Sequence, residues 1–141
     1  MRLRHVKDAD IRLAQNERDF VADPASMKGK WNEVFGNNNP IHIEIGMGKG
    51  QFLTKLAELN PNINYIGIEK FSSVLLRASE KLETIELNNV KIINIDALML
   101  NEYFDTNEVA RIYLNFSDPW PKNAHAKRRL TSNRFLPLYE N

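Results

Sequence analysis

The stretch Ile41-His-Ile-Glu-Ile-Gly-Met-Gly-Lys-Gly50 decides how the rest of the chain is read. Isoleucines at 41, 43 and 45 occupy alternate positions, the pattern of a short buried strand. Gly46, Gly48 and Gly50 then predict a turn that only residues without Cβ can follow at close range. From Gln51 the chain runs Gln-Phe-Leu-Thr-Lys-Leu-Ala-Glu-Leu59, with Phe52, Leu53, Leu56, Ala57 and Leu59 expected on one helical stripe. Strand, glycine turn and helix in that order predict a ligand cradle at the carboxyl edge of a parallel sheet.

Glycine spacing narrows the ligand. A dinucleotide fingerprint, Gly-x-Gly-x-x-Gly, places its third glycine directly after an intervening pair, whereas here Gln51 stands at that position and Gly50 comes one residue early. Lys49-Gly50 also fails the phosphate-loop pattern, which needs Ser or Thr after the lysine. Glu44-x-Gly46-x-Gly48-x-Gly50 instead resembles the cofactor loop of class I S-adenosylmethionine-dependent methyltransferases. That resemblance implies glycines lying against the amino-acid part of the cofactor, with Glu44 facing the same end. An ordinary strand-to-helix turn is the alternative reading of this stretch alone.

At 141 residues the chain is long enough for one modest domain. Its net charge of +1 announces no nucleic-acid partner globally, so such a partner must rest on local clustering. Without cysteine, disulfides, thiolate catalysis and thiolate zinc sites are excluded. The basic start is not followed by a signal-peptide core, and no apolar run reaches membrane-spanning length, so a cytoplasmic protein is expected.

Residues 1–40 read as a polar leader with isolated apolar anchors, separate from a domain over 41–141. Within it Met27, Trp31, Val34 and Phe35 fit one short helix opening near Pro24 or Ser26 and closing before Gly36, expected to pack on the domain or to cover the cofactor. Arg2, Arg4, His5 and Lys7 read either as an RNA contact or as a charged terminus. Beyond the glycine turn, Asn60-Pro61 ends the first domain helix, and Asn64-Tyr-Ile-Gly-Ile-Glu69 forms a second strand. Glu69 lies 23 residues past Gly46, near the offset at which nucleoside-binding units place a carboxylate for both ribose hydroxyls. One ionised carboxylate can accept both donors of a vicinal diol. Phe71 to Glu86 reads as a second helix and Val90 to Asp96 as a third strand. Asp96 has two open readings: with the backbone of Ala97 it approaches the adenine of a methyltransferase cofactor, or it caps the helix that follows.

Ala110 to Phe116 is the expected fourth strand, and Ser117-Asp-Pro-Trp-Pro-Lys122 leaves its carboxyl end as a loop stiffened by two prolines. The chain continues Lys122-Asn-Ala-His-Ala-Lys-Arg-Arg129, a basic cluster beside a rigid aromatic loop and suited to a phosphate backbone. These residues, with Gly29-Lys30-Trp31, the Glu44 to Gly50 loop, Tyr65 to Glu69, Asn94-Ile-Asp96, Leu114 to Lys122 and Arg128-Arg129-Leu130, resemble the amino-terminal part of the bacterial tRNA (guanine-N7)-methyltransferase family. The resemblance implies an α/β, Rossmann-like class I methyltransferase fold: a parallel sheet with helices on both faces, here truncated after the fourth strand.

Function follows from the resemblance in the same way. It implies S-adenosyl-L-methionine as cofactor, contacted by Glu44, Gly46, Gly48, Gly50, Glu69, Asp96, Ala97 and Asp118. Asp118 is the implied catalytic-site residue, and Lys122, Ala124, His125, Ala126, Lys127, Arg128 and Arg129 the implied tRNA-contacting segment. Family members usually carry further basic residues where this chain has Asn123 and Ala124, which implies weaker backbone contacts. The fourth strand is expected to leave an apolar edge on which a second copy of the chain could pair. Competing expectations are a nucleic-acid methyltransferase acting on an amino group, a module that binds RNA or cofactor without turnover and, last, a nicotinamide oxidoreductase.

Overall fold

The computed structural model describes residues 8–114 of the chain. Its four strands, β1 (Ile41–Ile45), β2 (Asn64–Ile68), β3 (Val90–Ile93) and β4 (Arg111–Leu114), run parallel in the order β3-β2-β1-β4. In register, β1 aligns Glu44 with Gly67 on one side and with Tyr113 on the other. Parallel strands joined by crossovers must be covered on both faces, which explains their nearly continuous burial.

Alternation divides the two faces. Ile41, Ile43, Ile45, Ile66, Ile68 and Ile93 turn to one side and pack with Trp31, Leu100, Phe104 and Val109. The other side carries Tyr65, Val90 and Ile92 beneath α1 (Ala9–Ala14), α3 (Gln51–Leu59) and α4 (Ser72–Leu82). α2 (Trp31–Phe35) and the 3₁₀ turn Ala97–Glu102 belong to the first side, so helical elements cover both faces.

Several local expectations are corrected. The single helix read across Met27 to Phe35 is two pieces, a 3₁₀ turn Pro24–Met27 and α2, separated at Lys28 to Lys30. Its placement on the domain holds: the Trp31 ring stacks on Phe104 at 5.3 Å, and its indole N–H donates to Tyr103 O at 2.8 Å. The buried stripe of α3 is Leu53, Thr54 and Ala57, whereas Phe52 and Leu59 are exposed. Thr54 tolerates burial because its hydroxyl donates to Gly50 O at 2.9 Å. The second helix is shorter than read, ending at Leu82, so Ile85 lies beyond it.

The leader is more tightly held than isolated anchors suggest. α1 packs through Ala9 and Leu13 against α4, and Asn16 donates to Ser79 Oγ at 2.8 Å. Next, Asp19 to Val21 runs beside β3: Ile92 N–H donates to Asp19 O at 2.8 Å, and Val21 N–H to Ile92 O at 3.0 Å. Asp19, almost fully buried, accepts a two-pronged contact from Arg18 at 2.9 Å for each bond. Arg18 also donates to the Leu82 and Ile85 carbonyls, tying the end of α4 to the leader. Its bond to Asp19 raises the guanidinium pKa above its ordinary value. Among the described residues no helix is long and apolar enough to cross a membrane.

Candidate functional site

The carboxyl ends of β1, β2 and β3 form one rim. After Ile45, the glycines 46, 48 and 50 all take the left-handed backbone region, with φ of 76°, 58° and 82°. Residues with a Cβ pay a steric cost there, which is why the spacing was readable in the sequence. The turn closes with Gly50 N–H on Met47 O at 2.9 Å, and α3 begins as Thr54 N–H reaches Gly50 O at 2.9 Å.

β2 holds this turn from the side. Gly46 and Met47 N–H both donate to Ile68 O, at 2.9 and 3.1 Å, and Gly48 N–H donates to Glu69 Oε1 at 3.1 Å. Glu69 Oε2 accepts from Phe71 N–H at 3.1 Å, which fixes the carboxylate at the end of the strand. An ionised carboxylate offers about four lone-pair directions. Among the described residues these bonds leave two on Glu69, enough for a diol.

Asp96 lies on the same rim. Asn94 joins it to β2 by donating to Glu69 O at 2.9 Å and to Lys70 O at 3.0 Å. Asp96 itself is exposed, and its Oδ1 accepts from Leu98 N–H at 3.0 Å, so the capping role is present. Its second oxygen leaves room for the adenine-facing role beside the half-buried Ala97. Both readings of Asp96 therefore fit the same geometry.

Glu44 is fully buried one residue before the end of β1, on the face that also carries His42 and, across the register, Gly67 and Tyr113. His42 sits edge-on to Tyr65 at 5.6 Å and 6.0 Å from Tyr113. Burial, and secondarily the nearby Arg111 charge, push its pKa below the ordinary histidine value. Among the described residues no group of three or more His, Asp or Glu could hold a metal ion.

Glu44, Gly46, Gly48, Gly50, Glu69, Asp96 and Ala97 thus lie along one edge. Asp118, Lys122, Ala124, His125, Ala126, Lys127, Arg128 and Arg129 lie outside the described residues, as do Arg2, Arg4, His5 and Lys7. Two contributors escaped the sequence reading. Asn94 gave no signal beyond its place before Asp96, whereas Gly67, a glycine inside a strand run, is the usual sign of a close approach. Chemically the rim offers backbone that a ligand can approach closely, a carboxylate with two spare acceptor directions and a second, exposed carboxylate. Such a set suits a nucleoside with a free diol and an amine.

A family model described as "Putative methyltransferase" matches residues 38–141. The chain is 62% identical over 140 residues to a tRNA (guanine-N(7)-)-methyltransferase of Lachnoclostridium phytofermentans, and 57% identical over 140 residues to one of Bacillus subtilis. Each match takes in 99% of this chain but only 65% and 66% of those proteins, so the chain spans about two thirds of their length. Among solved structures, an antibiotic-related methyltransferase aligns over 74% of this chain and 52% of its own, with a TM-score of 0.56 and 27% identity. An rRNA methylase from Streptococcus thermophilus aligns over 98% of this chain and 66% of its own, with a TM-score of 0.52 and 15% identity, a likeness of fold. The four described strands and their helices are those of a class I, Rossmann-like methyltransferase fold. With the family model spanning the glycine turn, the rim and the basic segment beyond it, the chain belongs to this methyltransferase family.

Proposed function

We propose that the protein transfers a methyl group from S-adenosyl-L-methionine to N7 of a guanosine in the variable loop of tRNA, giving 7-methylguanosine. The observation that carries this reading is the 62% identity, over nearly the whole chain, to a tRNA (guanine-N(7)-)-methyltransferase. The rim geometry supports the cofactor. Gly46, Gly48 and Gly50 would lie against its amino-acid end with Glu44 behind them, Glu69 would accept the ribose hydroxyls, and Asp96 with Ala97 would meet the adenine.

When bound, S-adenosyl-L-methionine supplies an electrophilic methyl group. Guanine N7 carries an in-plane lone pair and no proton, so the chain needs no general base to prepare it. Its task is to hold N7 in line with the transferred carbon and to favour the charge that develops on the purine. Asp118 is proposed for the guanine edge, through N1–H and N2–H, and Lys122 for a phosphate or O6. Residues 124 to 129 are proposed to follow the tRNA backbone. tRNA as substrate fits a cytoplasmic protein. The domain division is proposed to fall at residue 40, although residues before it pack into the same core. Pairing of a second copy along β4 is a further proposal; it is supported by β4 having β1 as its sheet neighbour among the described residues.

The test is incubation of the protein with unmodified tRNA and S-adenosyl-L-methionine, followed by nucleoside mass spectrometry. The expected product is 7-methylguanosine at one tRNA position. Methyl found on an exocyclic nitrogen would move the protein to the amino-methylating class. Cofactor binding without any product would leave it as a binding module.

A further inference from the structure

β2 carries a glycine in the middle of an otherwise bulky run, directly beside Glu44 of β1 and Ile92 of β3. Gly67 does not take a left-handed φ, so what it provides is space. A Cβ at Gly67 would overlap Met47 Sδ and would come 2.8 Å from Leu53 Cδ2 and 2.9 Å from Met47 Cε. A Cβ at Gly50 would likewise come 2.9 Å from Met47 Cε. The Met47 side chain, only 3% exposed, therefore lies in a notch floored by Gly67 and closed by Gly50 and Leu53. Methionine is unbranched and fills such an irregular gap without strain.

We propose that Met47 and Gly67 form a latch, a pair of positioning residues that sets the height of the glycine turn above β2 before any ligand arrives. The turn's backbone bonds to β2 converge on two acceptors, Ile68 O and the Glu69 carboxylate. Glu69 is shared with the ligand in the reading above, whereas the buried thioether contact is independent of it. A turn held in its binding shape binds more tightly because less ordering remains to be done on association. The inference rests on the cofactor reading for what the turn binds, but not for how the turn is held.

The experiment uses Gly67→Ala, Met47→Ala and the double variant of the full protein, with two readouts. In the absence of ligand, amide exchange at Met47 and Gly48 should quicken about tenfold in Gly67→Ala, the scale of an overpacked contact, while exchange at Ile43 stays unchanged. Titration with S-adenosylhomocysteine should show about tenfold weaker binding in Gly67→Ala, and recovery when Met47→Ala is added. If Gly67→Ala alone does not fold, the comparison of Met47→Ala with the double variant decides. The latch predicts that the added methyl group fills the space vacated by the thioether, so the double variant binds as well as Met47→Ala; a double variant that binds more weakly than Met47→Ala overturns it. Unchanged exchange at Met47 and Gly48 in a folded Gly67→Ala protein also overturns it. A protein that shows the exchange pattern but takes no S-adenosylhomocysteine keeps the latch and loses the cofactor reading.

Discussion

The two faces of the β1–β2 pair are built from the same ten residues and have little else in common. One presents Ile41, Ile43, Ile45, Ile66 and Ile68 to Trp31 and Phe104, an apolar packing in which the indole N–H has a carbonyl partner and the buried Asn64, at the start of β2, donates to Asn37 Oδ1. The opposite one presents His42, Glu44, Tyr65 and Gly67 to α3 and the glycine turn. Both are buried, so burial does not separate them. What separates them is that the first is filled by side chains whose value is area and fit, and the second mixes ionisable groups with a vacancy that a neighbouring loop occupies. A strand with a period of two can keep structure on one side and chemistry on the other.

The largest expected effect lies on the apolar face. Trp31→Ala removes a fully buried indole and its ring contact, and should cost about 4 kcal/mol of stability in denaturant unfolding. Cofactor affinity of the remaining folded protein should not change; a selective loss of affinity at full stability would erase the distinction between the faces. On the opposite side, Glu69→Gln keeps an acceptor for one backbone N–H but loses the charge. It should weaken S-adenosylhomocysteine binding about tenfold in calorimetric titration, roughly 1.4 kcal/mol, with a smaller loss in unfolding free energy.

The smallest effect is a slope. Burial first, then Arg111, lowers the His42 pKa in the folded chain below its unfolded value of about 6.5. The unfolded state therefore binds a proton that the folded state refuses once pH drops through that value. The associated stability is present above the unfolded pKa and is lost as pH falls toward the folded one. His42→Phe should flatten this part of the stability profile between neutral and mildly acidic pH. An unaltered slope would move the acid sensitivity elsewhere.

What the sequence disclosed follows the strength of the physical demand behind each residue. Glycines at 46, 48 and 50 were legible because three left-handed residues in five admit few alternatives. The strands were legible as β-branched runs, and Glu69 by its distance from the turn. α1 escaped because a six-residue helix with Ala9 and Leu13 inward and Ile11 outward shows no convincing period. The stripe on α3 was misread for a related reason: Phe52 is apolar but exposed, its ring set edge-on against Tyr113 at 5.5 Å, while polar Thr54 is buried because its hydroxyl finds a carbonyl. Of the candidate site, Glu44, the three glycines, Glu69, Asp96 and Ala97 lie within the described residues. Asp118 and the basic segment lie outside the described residues.

The strip of leader beside β3 has a consequence for how the chain reaches its native state. Lys91 donates to the carbonyl of Arg18, and the two stand 73 positions apart. During synthesis the leader leaves the ribosome well before the strand it lies against is made. Central β1 can pair with β2 as soon as the intervening helix has emerged, whereas residues 16–21 must remain undocked until Ile92 is available. Contacts of such long separation are slow to close, because chain entropy is spent before any of them forms. A segment made well before β3 is thus among the last to find its place, and a sequence tag fused ahead of it would burden a late step of folding rather than an early one.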